Sequence, residues 1–359
     1  MKRLIAMLAV TLVLVGSIAF TDTRYGTRSD GLYYQVTDIR PDAQLMRING
    51  ESVSAEEYFY WLSSVCDYLY SYTNGQVDFD AALTEEMTYG QYAKSDAAET
   101  VKLYAVVRQM AAEAGVALSE EDLEALDAQR AQYVAYYGSE DAYLQQLQLL
   151  GISEEMLRSI ESVPYLYGQL MAMYCAEDGV LRPSDEELRS FGEENGYVTA
   201  QLLFFPTTGL DASAVEEVRT KAENYVQRWQ NESDKMTAYA TMCSELGLTV
   251  DEAGLTFEPT TSDAAVCTAI GTLAEGSVSG VIEGKNGFYV AMRMALNTDA
   301  LTEDLFNILL QEKQDSAKVD YSKRMYDSID AGAFYNALSV ARTMLMQELA
   351  LQQQGSVAP

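Results

Sequence analysis

One local pattern recurs between residues 54 and 174: a capping side chain, nearby acidic residues, apolar positions every three or four residues and, in most repeats, a closing glycine. Ser and Asp accept hydrogen bonds from the unpaired N–H groups of a first helical turn, and glycine tolerates the left-handed conformation that ends many helices. The pattern therefore predicts about five helices, which begin at Ser54, Asp96, Ser119, Ser139 and Ser153. Short loops join them, as in neighbouring antiparallel helices.

The pattern changes after residue 181. A β-type run covers Val198–Phe205, and a hairpin is predicted with strands Ser277–Ile282 and Phe288–Met294 around a turn at Gly284–Gly287. Between the run and the hairpin, helices are predicted over residues 213–232, 236–246 and 264–273, and a brief strand over 254–257. Helical periodicity returns over 301–351. The predicted fold class is α+β, mainly α, with a small antiparallel sheet plus helices in the middle of the chain.

The charge balance limits the partners. The chain has 24 Lys and Arg against 54 Asp and Glu, a formal net charge of −30. Phosphate backbones and anionic lipid surfaces repel such a polyanion, so nucleic acid is not an expected partner. The acidic clusters fall mostly in first turns of predicted helices, where they complement the helix dipole, and none matches a calcium loop. We expect no metal and no cofactor.

Histidine is absent from all 359 residues. Its absence removes Ser-His-Asp and Cys-His nucleophile pairs and the commonest general base near neutral pH. Any chemistry must use carboxylates, Lys, Tyr, Cys or Ser, or must need no proton transfer. The cysteines form no CxxC pair, and buried thiols are favoured over disulfides within each half of the chain. They are Cys66, Cys175, Cys243 and Cys267.

The first residues are typical of an export signal. Lys2 and Arg3 precede an apolar run, and small residues at Ser17 and Ala19 suit cleavage after residue 19. An uncleaved N-terminal anchor is the alternative, and it would be the only contact with a membrane. Residues 20–44 are expected to form a tether. The protein is therefore expected to be exported, to the extracellular or cell-envelope side of the cytoplasmic membrane.

The order of elements resembles the secreted parvulin-type foldases and chaperones of the SurA and PrsA kind. The stretch "RINGESVSAEEY" resembles the start of their helical chaperone domain, and "GSEDAYLQQLQLLGISEEMLRSIESVPYLYGQL" resembles its next helices. The stretch "PSDEELRSFGEENGYVTAQLLFFP" resembles the lead into the parvulin domain, and "GTLAEGSVSGVIEGKNGFYVAMRM" resembles its end. The likeness covers about residues 45–294.

The resemblance implies a domain organisation. It places a helical chaperone domain over residues 45–181 and a parvulin-like domain over 182–297. C-terminal helices over 298–351 would return to complete the chaperone lobe, which is therefore discontinuous, and a polar tail would cover 352–359.

The resemblance also implies a substrate groove. Parvulins isomerise the bond before proline, a rotation with a barrier of about 20 kcal/mol, without a covalent intermediate. Two family histidines fall at Leu202 and Tyr289, and proline-pocket positions fall at Phe257 and Val266; Cys243 lies near the family's central Cys or Asp in sequence without aligning to it. Because preorganised polar groups carry much of catalysis, we expect a weak or inactive groove. An active histidine-free isomerase is the first alternative.

Unfolded or nascent secreted polypeptides are the partners that the resemblance implies. The helical region is rich in tyrosine, whose ring buries much area at low entropy cost. Residues off the buried stripe of the first helix, together with one later tyrosine, are predicted to face clients: Phe59, Tyr60, Tyr68, Tyr70 and Tyr136. The predicted function is an extracytoplasmic folding factor. A structural adaptor for one dedicated partner is the second alternative.

Overall fold

The computed structural model describes residues 25–259 and 263–355. The predicted signal segment and the end of the predicted tail lie outside the described residues. The chain forms two compact units. The discontinuous unit comprises the described residues up to Leu170 together with those from Leu310 onward, and the inserted unit comprises Met171–Leu309. The sequence-based boundaries at 182 and 297 both fall inside the inserted unit.

The N-terminal half is mainly helical. Its elements are helix α1 (Leu32–Thr37), strands β1 (Gln44–Ile48) and β2 (Glu51–Ser54), and helices α2 (Ala55–Tyr72), α3 (Tyr89–Ala114), α4 (Glu120–Tyr137), α5 (Glu140–Leu150) and α6 (Glu154–Cys175). The hydroxyls of Ser54, Ser119 and Ser139 each accept a backbone N–H from three residues on, as predicted.

The rest of the described chain contains both sheet and helix. Its elements are α7 (Asp185–Glu194), β3 (Val198–Pro206), α8 (Ala212–Asn231), α9 (Lys235–Leu246), β4 (Leu255–Phe257), α10 (Ala264–Gly271), β5 (Ile282–Gly284), β6 (Gly287–Arg293), α11 (Thr302–Ser316), β7 (Val319–Tyr321), α12 (Lys323–Asp327) and α13 (Ala331–Gly355). The fold is α+β and mainly α, as predicted.

Two predicted helix starts are wrong. Helix α3 begins at Tyr89 rather than at Asp96, because Thr88 and Gln91 form a reciprocal capping box two turns earlier. Helix α8 is capped by Asp211 rather than by Ser213, because the Asp211 carboxylate accepts the N–H groups of two residues in the first turn. In both cases a better cap lay upstream of the predicted one.

A three-stranded antiparallel sheet joins the two chain segments of the discontinuous unit. Strand β1 pairs with β2 on one side and with β7 on the other, with Met46 opposite Tyr321. The sequence did not predict β7, because three residues with two exposed side chains carry no apolar alternation. Strand β7 forms because it pairs with β1, and its own sequence pattern does not indicate a strand.

The described part of the predicted tether belongs to the core instead. Tyr33 of α1 is almost completely buried. Its ring centroid lies 5.7 Å from that of Phe59 in α2 and 6.0 Å from that of Phe334 in α13. Phe59 and Phe334 stack on each other at 5.1 Å. The tether prediction is therefore wrong for this segment, because its apolar side chains pack into the core although the stretch as a whole is polar.

The inserted unit holds a four-stranded antiparallel sheet in the order β4-β3-β6-β5. Its hairpin is shorter than predicted. The Ser279 hydroxyl accepts the N–H of Ala291 at 2.9 Å, where a strand would offer a carbonyl, and regular pairing resumes only at Ile282. The turn is the two-residue loop Lys285–Asn286 between paired glycines.

Removing the Phe59 ring should strongly destabilise the discontinuous unit. The side chain is completely buried, so Phe59→Ala should lower the free energy of unfolding by about 3–5 kcal/mol. Urea unfolding followed by circular dichroism measures this change. Tyr68→Ala is the matched control, because this ring lies on the same helix but is exposed, and it should cost less than about 0.5 kcal/mol. Equal losses in the two variants would contradict the packing described here.

Candidate functional site

The four-stranded sheet of the inserted unit separates two apolar clusters. Side chains alternate along a strand, so Leu203 and Phe205 of β3 lie on one face, whereas Ala200 and Leu202 lie on the other. The first face packs against α8 and α9, and Trp229 is fully buried there. The second face carries the residues predicted for the groove.

The four predicted groove residues lie in one cluster on this second face. Val266 of α10 is buried, whereas Leu202, Phe257 and Tyr289 are half-buried and pack against the same core. We call this feature the sheet-face cluster; its other members are Val198, Ala200, Cys267, Ala269, Ile270, Ile282 and Ala291. Because three of the predicted side chains remain partly accessible, the cluster offers hydrocarbon and aromatic surface to a ligand.

Tyr289 lies in this cluster at one of the two positions where the family resemblance places a histidine. Its ring stacks on Phe204 with 4.8 Å between centroids. The ring also lies so close to Gly284 that a Cβ added there would be 2.6 Å from a ring carbon. Burial, and then the negative charge of Asp263, raise the pKa of the phenol. At neutral pH Tyr289 therefore contributes a neutral hydroxyl, not a group that titrates in this range.

Asp263 fixes one end of the cluster. Its carboxylate accepts the N–H of Lys285 in the hairpin turn at 2.7 Å and the N–H of Ala265 in the first turn of α10 at 3.1 Å. The hydrogen bond from the Lys285 backbone is the main cause that lowers the pKa of Asp263. One ionised side chain thus holds α10 against the hairpin, and both of these elements carry residues of the cluster.

Cys243 does not belong to the sheet-face cluster. It lies in the cluster on the opposite face of the sheet, where burial raises the pKa of its thiol. Cys267 is the cysteine that lies in the sheet-face cluster, and it is buried there; its sequence position gave no signal for this site. Cys66 is also buried, which raises its pKa to about 12, whereas Cys175 is half-buried.

The side chains predicted to face clients differ in exposure. Tyr68, Tyr70 and Tyr136 are exposed, and Tyr60 is half-buried. The prediction for Phe59 is wrong. Its ring is completely buried, because α13, from the far end of the chain, covers it with Phe334.

A second candidate site is an open cavity of about 660 Å³ in the discontinuous unit. It is lined by residues of α1, α5 and α13 and by the turn between α5 and α6. We call it the helical groove; its apolar lining residues from α5, α13 and the turn are Leu144, Leu147, Ile152, Ala341, Met344 and Leu345. Met344 is 65% exposed and Leu144 is 38% exposed. Apolar surface is therefore open to a ligand at this place.

The helical groove was not predicted from the sequence, although α13 carries a signal for it. Val340, Met344, Met346 and Leu351 occupy more than one side of this helix and remain exposed. A helix that is apolar on more than one side has more apolar surface than its own core can cover.

Tyr33 and Gly151, which line the groove, are held in place by close contacts. Tyr33 donates a hydrogen bond from its hydroxyl to the carbonyl of Leu150 at 2.5 Å, and the same hydroxyl lies 3.1 Å from the Ser63 hydroxyl. Gly151 packs directly on the Tyr33 ring, where a Cβ would lie 2.7 Å from a ring carbon, and its φ of +80° is in the left-handed region. Glycine is the residue that meets both demands.

Carboxylates outnumber cations in the helical groove. Among its described lining residues, Asp30, Glu56, Glu154 and Glu348 are acidic, and Arg28 is the one cation. The Arg28 guanidinium is already paired, with Nη1 at 2.9 Å from Glu56 and Nε at 3.2 Å from Asp30. The groove therefore combines an apolar lining with a net negative charge.

No family model and no curated protein matches the chain. Solved structures do. Foldase protein PrsA from Streptococcus pneumoniae is similar at 20% identity and a TM-score of 0.25, over 74% of this chain and 92% of that one. PrsA from Bacillus subtilis is similar at 15% identity and a TM-score of 0.22, over 76% and 93%.

A structure from the pair of SurA-like chaperones PEB4 and Cj1289 of Campylobacter jejuni is similar at 13% identity and a TM-score of 0.22, over 74% and 90%. These are proteins of the kind that the sequence resembles. Likenesses at such identities and TM-scores extend no activity and no partner to this chain. Within residues 25–259 and 263–355, no helix has both the length and the apolar character of a membrane span.

Neutralising Asp263 should make the inserted unit less stable and less sensitive to acid. The folded-state pKa lies below the ordinary value of 3.8, so the ionised carboxylate stabilises the fold at pH values above 3.8. This stabilisation is lost as the pH falls through the folded-state pKa. Asp263→Asn should therefore lower the urea midpoint near neutral pH. In acid, the difference in urea midpoint between the variant and the wild type should disappear.

Trp229 fluorescence in a Trp61→Phe background measures this effect, because Trp229 is then the only tryptophan and belongs to the inserted unit. Glu252→Gln, an exposed acid of the same unit, is the control and should leave the profile unchanged. Parallel pH profiles for the wild type and Asp263→Asn would show that this carboxylate does not hold the hairpin to α10.

Proposed function

We propose that this protein is an extracytoplasmic folding factor that binds unfolded or nascent secreted polypeptides in its helical groove. One observation carries the proposal: side chains such as Met344 and Leu144 leave apolar surface open around a 660 Å³ cavity, in a chain of net charge −30. Exposed apolar side chains that line a cavity are typical of a binding site. Methionine adds a flexible, polarizable side chain that adapts to varied partners.

The groove would distinguish unfolded from folded chains by burial alone. A folded client keeps its large apolar side chains inside, so only an unfolded one can place them against Leu147, Ile152 and Leu345. Each apolar side chain buried there would contribute roughly 25 cal/mol per Å² of apolar area removed from water. Binding of this kind is weak and tolerant of sequence, and the acidic surface keeps loaded copies apart.

Export is part of the proposal. The residues that support it are the two N-terminal cations, the apolar run and the small residues near position 19. The exposed tyrosines Tyr68, Tyr70 and Tyr136 are proposed as secondary client contacts, since each presents a ring to solvent.

The sheet-face cluster is proposed as a passive second contact for an apolar or proline side chain. Leu202 and Phe257 supply partly accessible hydrocarbon and aromatic surface, Tyr289 supplies a neutral hydroxyl, and the buried Val266 packs in the same cluster. Such walls can desolvate a prolyl amide, but they lack the preorganised polar groups that favour its twisted transition state. We therefore infer that prolyl isomerisation is weak or absent.

An active histidine-free isomerase is the second candidate function. The observation that favours it is the convergence of the four predicted groove residues on one face of the sheet. An adaptor for one dedicated partner remains a further alternative, and the choice of clients in the following test separates it from a general folding factor.

The protein should suppress aggregation of several unrelated unfolded clients, and Leu144→Ser with Met344→Ser should abolish most of that effect. Both side chains are exposed, so the double variant should remain folded, as checked by thermal unfolding. Light scattering after dilution of denatured clients measures the suppression. Val180→Ser with Leu210→Ser removes two exposed apolar side chains elsewhere and should change nothing. Protection of none of these unrelated clients would overturn the proposal and favour an adaptor for one dedicated partner.

Prolyl isomerisation should not be accelerated at the enzyme concentrations at which parvulins act. A protease-coupled prolyl-peptide assay measures the rate, and Tyr289→Phe should leave it at the uncatalysed value, because the hydroxyl has no assigned catalytic role. Clear turnover that Tyr289→Phe or Leu202→Ser removes would replace the passive contact with an active isomerase.

A further inference from the structure

The buried and the exposed lining of the helical groove differ in chemistry. Leu147 and Ile152 are buried and apolar, whereas Asp30 and Glu348 are exposed and acidic. A segment that lies in the groove with its apolar side chains inward therefore has its flanking residues near carboxylates. This arrangement concerns which clients the groove prefers, and so it rests on the proposed function.

Arg28 in the groove and Arg130 beside it do not cancel its negative charge, because each is shared between two carboxylates. Arg28 contacts both Asp30 and Glu56. Arg130 of α4 contacts Glu140 as well as Glu154, which lines the groove. Each group of three side chains therefore keeps one net negative charge. A client cation meets this excess, whereas a client carboxylate meets repulsion.

We propose that the helical groove selects client segments in which apolar side chains are flanked by Lys or Arg. The apolar lining supplies affinity, and the surplus carboxylates supply the preference. Acidic or neutral apolar segments would bind more weakly in the same place.

Other occupants fit this chemistry less well or are separable by experiment. A second copy of the chain carries the same net charge of −30, so the two copies repel each other. The chain's own residues 352–359 contain no Lys or Arg. Its N-terminal stretch does combine Lys2 and Arg3 with an apolar run, so it competes with clients wherever it is retained.

Three fluorescent peptides with one Leu/Phe core and flanks of Lys, Ser or Glu test the preference. Titrated with the full chain and followed by anisotropy, the Lys-flanked peptide should bind about tenfold more tightly than the Glu-flanked one at low salt, the size expected for a few exposed charge contacts. The ratio should fall towards one at about 0.5 M salt, where the Debye length is only a few ångström.

Variants assign the preference to the groove. Asp30→Asn with Glu348→Gln should weaken binding of the Lys-flanked peptide by about fivefold and leave the Ser-flanked peptide unchanged, because only the ionic contribution is removed. Glu217→Gln with Glu223→Gln removes the same charge from exposed positions of α8 and should change neither affinity.

The outcomes separate this inference from the proposed function. Equal affinities for all three peptides, with binding lost in Leu144→Ser/Met344→Ser, would overturn the charge preference and keep the groove as the client site. Peptide binding that is unchanged in Leu144→Ser/Met344→Ser would overturn both. Binding that appears only when residues 1–19 are removed would assign the groove to the chain's own N-terminus. Concentration-dependent dimerisation that Leu144→Ser/Met344→Ser abolishes would assign the groove to a second copy of the chain.

Discussion

The contact between the rings of Tyr33, Phe59 and Phe334 closes the discontinuous unit, and the rest of that unit depends on it. Bringing residues so far apart in the chain together costs loop entropy that grows with the logarithm of the separation. Large buried rings, together with the pairing of β1 and β7, offset this cost. The same closure positions α13, whose next turns carry Met344 and Leu345 into the helical groove. The ring contact that closes the core of this unit therefore also places α13 at the helical groove.

Local signals in the sequence predicted most elements of the fold. The helix from Ser119 to Gly138 has the predicted cap at each end, because hydroxyl caps and left-handed glycines act within a few residues. Long-range partners explain the failures. Strand β7 exists because β1 is beside it, and Phe59 is buried because α2 packs on more than one neighbour, which the periodicity of a single stripe does not reveal.

The candidate sites were predictable to different degrees. The family resemblance and strand alternation placed Leu202 and Tyr289 on one face of one sheet, because a strand fixes the direction of every second side chain. Asp263 was missed, since its importance comes from a hydrogen bond to a hairpin turn that follows it in sequence. The helical groove could not be predicted, because it needs three helices that only the tertiary fold brings together.

The covering of Phe59 by Phe334 also orders events during biosynthesis. A chain that leaves the ribosome with its N-terminus first presents α2 long before α13 arrives. Until then one aromatic ring of the core lacks its cover, and the cavity beside α1 and α5 lacks a wall. The whole inserted unit, by contrast, is already available at that time. The site proposed for client binding is therefore complete only once the protein's own synthesis has finished.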